Sequence, residues 1–341
     1  MEPSARNAVA TLDSVAARAG VSRATASRVL SGDPRVSDRA RELVRTAAAE
    51  LAYVPRQAAR SLATRRSDAL AFVVAESGEK FFADPFFASV LRGAQAAAAE
   101  RRRQLLFVVV TDDDDRTRLE EYAAGGHVDG AMFLSVHADD PLPGRVHRQG
   151  VPVVLAGRPP GGRGSLPFVT SDNVTGGRLA AQALLARGCR RVATITGPAD
   201  MTASSDRRAG LAAELAERGA ELLPDRVVEG DFTISGGYRA MNELLAAQPD
   251  IDGLFAASDL MAIGALRALR AHRLRVPDDV ALVGYDDVSL AADADPPLTT
   301  VRQPLEAMGR QMARMLIDLS DGGGPATSVT LGVELVTRDS A

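Results

Sequence analysis

The stretch T-L-D-S-V-A-A-R-A-G-V-S-R-A-T-A-S-R-V-L, Thr11 to Leu30, decides how the N-terminal part of the chain folds. Read as helix, turn and second helix, it sets Leu12, Val15, Ala16 and Ala19 at i, i+3, i+4 and i+7, which is one apolar face. Thr11 is placed to cap the first helix, Gly20 to end it through a positive φ, and Ser22 to cap the second, with Val21 packing back between them. On the second helix Ala26, Val29 and Leu30 turn inward while Arg23, Ala24, Ser27 and Arg28 point the other way. A short helix with an apolar seam on one side and an Arg/Ser face on the other suits the major groove of double-stranded DNA. The expectation is that Arg23, Ala24 and Arg28 face base edges, with Thr25 and Ser27 nearer phosphates. A helical hairpin whose arginines are merely solvated has the same spacing, so the flanking sequence matters.

That flank supplies a third helix, capped by Ser37, with Ala40, Leu43, Val44, Ala47 and Leu51 expected on one face. Pro55 stops it, and Y-V-P-R-Q-A-A-R-S-L-A-T-R-R-S, Tyr53 to Ser67, follows. The V-S at Val36 and Ser37, the A-x-x-L-x-Y-x-P run ending at Pro55 and the A-x-x-L segment from Ala59 to Leu62 resemble the LacI/GalR family of transcriptional repressors. The resemblance continues through nearly the whole chain. It implies a hinge helix that orders when two copies pair on DNA, with Leu62 inserted into the minor groove and Ala59 small enough to allow close approach.

Charge divides the chain in the same place. From Met1 to Arg66 twelve arginines accompany six acidic side chains, a net of +6, which leaves −10 on the remainder of a chain of net charge −4. The electrostatic footprint for nucleic acid is thus confined to one end. The only lysine is Lys80, and Cys189 is the only cysteine, so no disulfide framework is available within one chain. The four histidines lack metal-ligand spacing, and neither a cofactor nor a metal is expected. There is no apolar leader at the N-terminus, and runs such as Leu105 to Val110 are far too short to span a bilayer. These features point to a cytoplasmic, nucleoid-associated protein with no membrane partner.

After Arg66 the pattern becomes strand and helix in alternation. Apolar runs read as buried strands at 70–75, 105–110, 128–136, 151–156, 168–170, 191–196, 227–229, 253–257, 280–284 and 299–302. Helical stretches lie at 86–102, 174–187, 208–218, 236–247, 260–272 and 305–319. Continuous apolar strands joined by crossover helices make parallel sheets covered on both faces, and ten strands divide into two doubly wound halves with a cleft between them. The expected fold is an all-α helix-turn-helix domain at 1–55, a hinge helix and linker at 56–67, and an α/β core at 68–341 for effector binding and dimerisation. The resemblance implies a periplasmic-binding-protein-like core, with lobe 1 at about 68–170 and 301–327 and lobe 2 at about 171–300 and 328–341, the chain crossing near Ser171, Thr299 and Ser328.

Ligands of doubly wound folds sit at the carboxyl ends of the strands, so the loop residues there are the candidates. Asp84 before Pro85 is a good helix cap, with a ligand contact as the second reading. Arg158 follows one strand, and Asn173 after another either caps a helix or contacts ligand. The resemblance assigns Arg207, after the G-P turn at Gly197, to hydrogen bonding the effector, and the aromatic of E-G-D-F, Phe232, to packing on it, with core packing as the rival reading for Phe232. It likewise assigns Asp286, first of the D-D pair, to ligand hydroxyls, with Ser258 at a neighbouring strand end. An arginine with a carboxylate offers a fork of donors and two acceptors, which suits a polyhydroxylated ligand. The four-aspartate run at 112–115 reads as a capping-rich loop leading into a helix, and the glycine-rich 159–165 lacks the ending of a phosphate loop.

The resemblance therefore implies a homodimer, or a higher assembly, that binds a pseudo-palindromic operator and represses carbohydrate-utilisation genes under control of a small sugar. The segments T-G-P-A-D-M, E-G-D-F and P-P-L-T-T-V-R-Q-P look like the branch that handles maltose- and glucoside-type sugars. A sugar-binding transport protein would carry a secretion signal and no basic head, a sugar-processing enzyme would need chemistry that no motif supplies, and a corepressor-dependent regulator would differ only in the sign of its response.

Overall fold

Thr11 begins the first helix with a reciprocal cap: its Oγ1 accepts from the Ser14 N–H at 3.2 Å and its own N–H donates to Ser14 Oγ at 2.9 Å. This chain is seen in a computed structural model that describes residues 10–30, 32–53, 66–138, 140–159 and 166–341. It divides into two units, Met1–Ser67 and Asp68–Ala341. In the first unit α1 (Leu12–Ala19) ends at Gly20, whose φ of +65° needs no side chain. Ser22 Oγ then accepts from the Thr25 N–H at 3.1 Å to start α2 (Arg23–Leu30), and Ser37 caps α3 (Asp38–Glu50). Val15, Ala16, Ala19, Ala26, Val29, Val44, Ala47 and Ala48 form the core. Leu43 is a correction: the buried stripe of α3 runs through Val44, Ala47 and Ala48, which puts Leu43 past its edge and leaves it 46% exposed. The hinge residues Ala59 and Leu62 lie outside the described residues, as does most of the glycine-rich 159–165 stretch.

The second unit holds twelve strands among the described residues, in two six-stranded sheets. Lobe 1 is built from β1 (Ala69–Val74), β2 (Gln104–Val109), β3 (Gly130–Leu134), β4 (Val153–Ala156), β5 (Phe168–Ser171) and β11 (Val329–Leu331), all parallel, in the order β11-β5-β4-β3-β1-β2. Lobe 2 is built from β6 (Val192–Thr196), β7 (Val227–Glu229), β8 (Gly253–Ala256), β9 (Ala281–Asp286), β10 (Thr299–Arg302) and β12 (Glu334–Val336), in the order β12-β10-β9-β8-β6-β7, with only β12 antiparallel. Helices cover both faces of each sheet, which is why β1 and β9 are buried along nearly their whole length.

Two crossings come later than the sequence suggests. Residues 299–302 pair with β9, so the chain leaves lobe 2 after Arg302 rather than near Thr299. Val329–Leu331 pair with β5, so the last crossing follows Leu331 rather than Ser328. Val329–Leu331 and Glu334–Val336 are strands of only three residues, too short an apolar pattern to mark the last crossing.

Candidate functional site

The cleft between the lobes is lined from both sides by the ends of strands and the starts of helices, around a cavity of about 100 Å³. From lobe 2 come Asn173, Met201, Arg207, Phe232, Ser258 and Asp286; from lobe 1 come Lys80, Asp84, Phe86, Phe87, Ser135 and Met308; Gln303 sits on the crossing itself.

Arg207 is the centre of the lobe 2 wall. The helix that carries it, α9 (Thr202–Glu217), starts six residues before the expected 208, because the loop after β6 is only Gly197–Met201 long; Arg207 therefore lies inside the helix rather than ahead of it. It packs against α8 (Asn173–Ala186) so closely that a Cβ on Gly177 would lie 2.0 Å from the Arg207 carbonyl oxygen and one on Gly210 2.0 Å from that of Val174. This contact brings Arg207 Nε to Asn173 Oδ1 at 2.8 Å. Arg207 Nη1 donates to the Ala257 carbonyl at 2.6 Å and lies 3.9 Å from Asp286 Oδ1. Its guanidinium stacks over the Tyr285 ring, 3.7 Å from the centroid, while the Tyr285 hydroxyl reaches Asn173 Oδ1 at 3.3 Å. With 5% exposure, Arg207 is held in one orientation; Arg208 points to solvent.

Asp172, not Asn173, caps α8, accepting from the Thr175 N–H at 3.0 Å. That leaves the Asn173 amide to the cleft wall, where its Nδ2 donates to the Ser171 carbonyl at 3.1 Å. Asp286 ends β9 in a positive-φ conformation (+111°), as do Phe232 (+62°) and Ser135 (+57°) in their loops, a strain that accumulates at ligand sites. Asp286 Oδ1 accepts from Gln303 Nε2 at 2.5 Å. Burial pushes its carboxyl well above the usual range; Arg207 pulls it down and Asp84 adds to the rise. Phe232 is partly buried, fitting flat against Gly197 with part of its ring in the lobe 2 core, and it also lines the cavity. Ser258 caps α11 (Asp259–Ala271), accepting from the Met261 N–H at 3.2 Å, and lines the same cavity.

On the lobe 1 side Asp84 does cap α5 (Pro85–Glu100), accepting from the Phe86 N–H at 2.9 Å, and also lines the cavity. Burial raises its carboxyl to about 6, against the lowering by that N–H and by Lys80. Arg158 is a correction. The cavity is lined by its neighbours Ala156 and Gly157, while its guanidinium turns outward to Asp206 of α9, with Nη2 at 2.7 and 2.8 Å from the two carboxylate oxygens. Its carbonyl accepts from Thr202 Oγ1 at 2.5 Å, so Arg158 ties the lobes together at the rim. A second tie joins His137 Nδ1 to Asp200 Oδ2 at 2.7 Å. Sequence reasoning missed Lys80, Ser135, Ser171 and Gln303. Ser135 and Gln303 follow strands directly, so the rule of strand carboxyl ends would have found them. Ser171 Oγ, buried in the cavity lining, has no hydrogen-bond partner among the described residues.

In the first unit Arg23, Ala24, Ser27 and Arg28 all face solvent on α2, and Thr25 is half-buried, its hydroxyl 2.9 Å from Ser22 Oγ. Thr11 is exposed with its hydroxyl in the α1 cap. Arg23 Nε lies 3.4 Å from Asp13 Oδ1, an exposed pair that costs little to exchange for a phosphate or base.

The profile of bacterial regulatory proteins of the lacI family matches residues 11–56, and that of a periplasmic binding protein-like domain matches residues 181–341. The HTH-type transcriptional regulator CelR of Thermobifida fusca is 49% identical over 97% of this chain and 98% of its own. The chain belongs to the lacI family of transcriptional regulators. The ribose operon repressor of Escherichia coli (strain K12) is 33% identical over 91% of this chain and 92% of its own. Among solved structures, a CelR–cellobiose complex superposes with a TM-score of 0.79 at 46% identity, covering 97% of this chain and 100% of that one. A lac repressor dimer bound to operator and an anti-inducer superposes at 0.83 with 27% identity, covering 97% and 98%. These relatives are regulators rather than enzymes. Among the described residues no group of three His, Cys, Asp or Glu side chains could hold a metal ion, and no helix is long and apolar enough to cross a membrane.

Proposed function

We propose that this regulator is a repressor of carbohydrate-utilisation genes whose effector is a glucose-type disaccharide, with cellobiose as the first candidate. The observation that carries the reading is the convergence of Arg207, Asn173, Asp286 and the Ser171 hydroxyl, unpaired among the described residues, with the Phe232 ring in one buried cavity. Fixed donors and acceptors there suit ring hydroxyls, and an aromatic ring removes the apolar C–H face of a sugar from water. The identity to CelR, whose solved complex contains cellobiose, supports that choice.

In this reading two copies bind a pseudo-palindromic operator in the cytoplasm, at the nucleoid, through Arg23, Ala24 and Arg28, with Thr25 and Ser27 near phosphates. Thr11 and Ser22 hold the helix starts beside the backbone, and the hinge around Ala59 and Leu62 completes the contact. Sugar bridging the walls changes the balance between lobe arrangements, and it shifts operator affinity only by its differential affinity for the two states.

The test is operator binding by the full chain, on a site selected from random DNA, with and without cellobiose, glucose, maltose or ribose. A thermal shift reports the sugar itself, since a ligand that binds only the folded state raises stability. Release by cellobiose is expected. Binding of no sugar would overturn the reading, and tighter operator binding with sugar would make the protein corepressor-dependent.

A further inference from the structure

The cleft has a second polar pole that the Arg207 cluster does not use. Lys80 lies on α4 (Gly78–Ala83), the short helix after β1, and Ser135 follows β3; both line the cavity from lobe 1. They converge on one atom, Glu76 Oε1, to which Lys80 Nζ donates at 2.7 Å and Ser135 Oγ at 2.8 Å. His137 Nε2 lies 3.8 Å from the same oxygen, and the other nitrogen of that ring makes the tie to Asp200 of lobe 2. The Arg207 pole, in contrast, lies beside the crossings at Asn173 and Gln303. The same lining is otherwise largely apolar, with Phe86, Phe87, Phe232, Met201 and Met308, and also includes Asp84. Asp84 feels Lys80 and Glu76 on one side and Asp286 on the other.

The chemistry of the second pole fits hydroxyls better than an anion. The Glu76 carboxylate offsets the ammonium, and Asp84 adds negative charge nearby. The Lys80 side chain is only 16% exposed, and its one hydrogen-bond partner among the described residues is Glu76, so two of its three N–H donors are uncommitted. Glu76 itself does not line the cavity; it holds Lys80 and Ser135 in place and is a positioning residue. A monosaccharide anchored on Arg207 and Asp286 has no second ring to present here. Two linked rings would present hydroxyls to both polar groups and apolar faces to the phenylalanines of the same lining.

Resting on the reading of the cleft as a sugar site, we propose that Lys80 and Ser135 recognise the hydroxyls of the second ring and so set the preference for a disaccharide over a monosaccharide. The experiment is calorimetric titration of the full chain with cellobiose and with glucose, for wild type, Lys80→Met and the double variant Lys80→Met/Glu76→Gln. The double variant removes the Glu76 charge together with its Lys80 partner, so it stays informative where the single one folds poorly. Cellobiose binding should weaken about ten-fold in both variants, as expected for lost charge-assisted hydrogen bonds, with glucose binding unchanged. Parallel weakening for both sugars would show that Lys80 only supports the shape of lobe 1, and unchanged cellobiose binding would show that it touches no second ring; either result overturns the proposal. Wild type that binds neither sugar overturns the parent reading and this proposal with it, which distinguishes the two failures.

Discussion

The cleft and the reading face of α2 solve recognition in opposite ways. In the cleft the polar groups are buried and already engaged: Arg207 is fixed by Asn173, the Ala257 carbonyl and the Tyr285 ring before any ligand arrives. On the outer face of α2 the side chains are exposed, and among the described residues Arg23 pairs with the solvent-accessible Asp13. A small uncharged ligand offers few contacts, so each must be desolvated and preorganised to count. DNA supplies a large charged surface, and a mobile arginine can settle on it without an orienting network. A cleft substitution should therefore disturb both ligand response and fold, whereas a substitution on α2 should change DNA recognition and leave stability nearly untouched.

Arg207→Ala is expected to give the largest effect. It leaves the Asn173 and Ala257 oxygens without their buried donor, and each such loss costs about 1–3 kcal/mol of stability. Effector affinity should fall about a hundred-fold, while operator binding without sugar persists, which in cells appears as permanent repression. Calorimetry, denaturant unfolding and operator titration together check this. Loss of operator affinity in step with stability would mean that the contrast between the two regions is false.

Next in size is a double exchange at Arg23 and Ala24. Each well-formed base contact discriminates by about 1–3 kcal/mol, so selection from random DNA should return a different half-site with unchanged unfolding midpoint. The same half-site after the exchange would remove these residues from the reading face.

The two regions also differ in how far they can be read from residues alone. The helix-turn-helix is encoded by neighbours: Thr11 with Ser14, Gly20, and Ser22 with Thr25 all act within one turn of the chain. The ten apolar strands and the cleft between two sheets were legible from periodicity, and Arg207, Asn173, Phe232, Ser258, Asp84 and Asp286 do meet in one cavity. Arg158 was not legible, because nothing local says that a rim arginine will find Asp206 on another lobe instead of the cavity. Lys80 was passed over because its role depends on Glu76, four residues earlier and ahead of the helix, and on Ser135, just after the β3 strand that pairs with β1. The two short strands β11 and β12 take their pairing from tertiary position.

Asp286→Asn tests preorganisation at the level of a single proton. A carboxyl whose pKa is raised by folding contributes stability that is fully present below its unfolded value and is lost as pH rises through the folded value. Asn at this position keeps an acceptor for Gln303 and carries no charge at any pH. The variant should therefore gain on wild type as pH rises from about 5 to about 8, by on the order of 1–3 kcal/mol, while its sugar response weakens. Midpoints of thermal unfolding in ligand-free protein at the two pH values measure it. An equal difference at both would mean that Asp286 is not held in a site that resists its charge.

Arg158→Ala should give the smallest effect and draws the boundary of the buried region. The side chain is 47% exposed in its pair with Asp206, and such pairs contribute about 0.2–1 kcal/mol, reduced further by salt. Because the pair joins the lobes, its loss lowers the fraction of molecules with a closed cleft and so weakens apparent sugar affinity by that fraction, about two- to three-fold. Asp206→Ala should reproduce the same change, and the double variant should add little, since both single variants break one contact. The difference from wild type should shrink as salt is raised, which a direct ligand contact in a desolvated pocket would not do. If Arg158→Ala instead costs as much as Arg207→Ala, and Asp206→Ala costs nothing, then Arg158 swings from the rim onto the sugar when the effector binds. The preorganised part of the cleft would then be confined to lobe 2, with lobe 1 recruiting its arginine in the manner of the reading face.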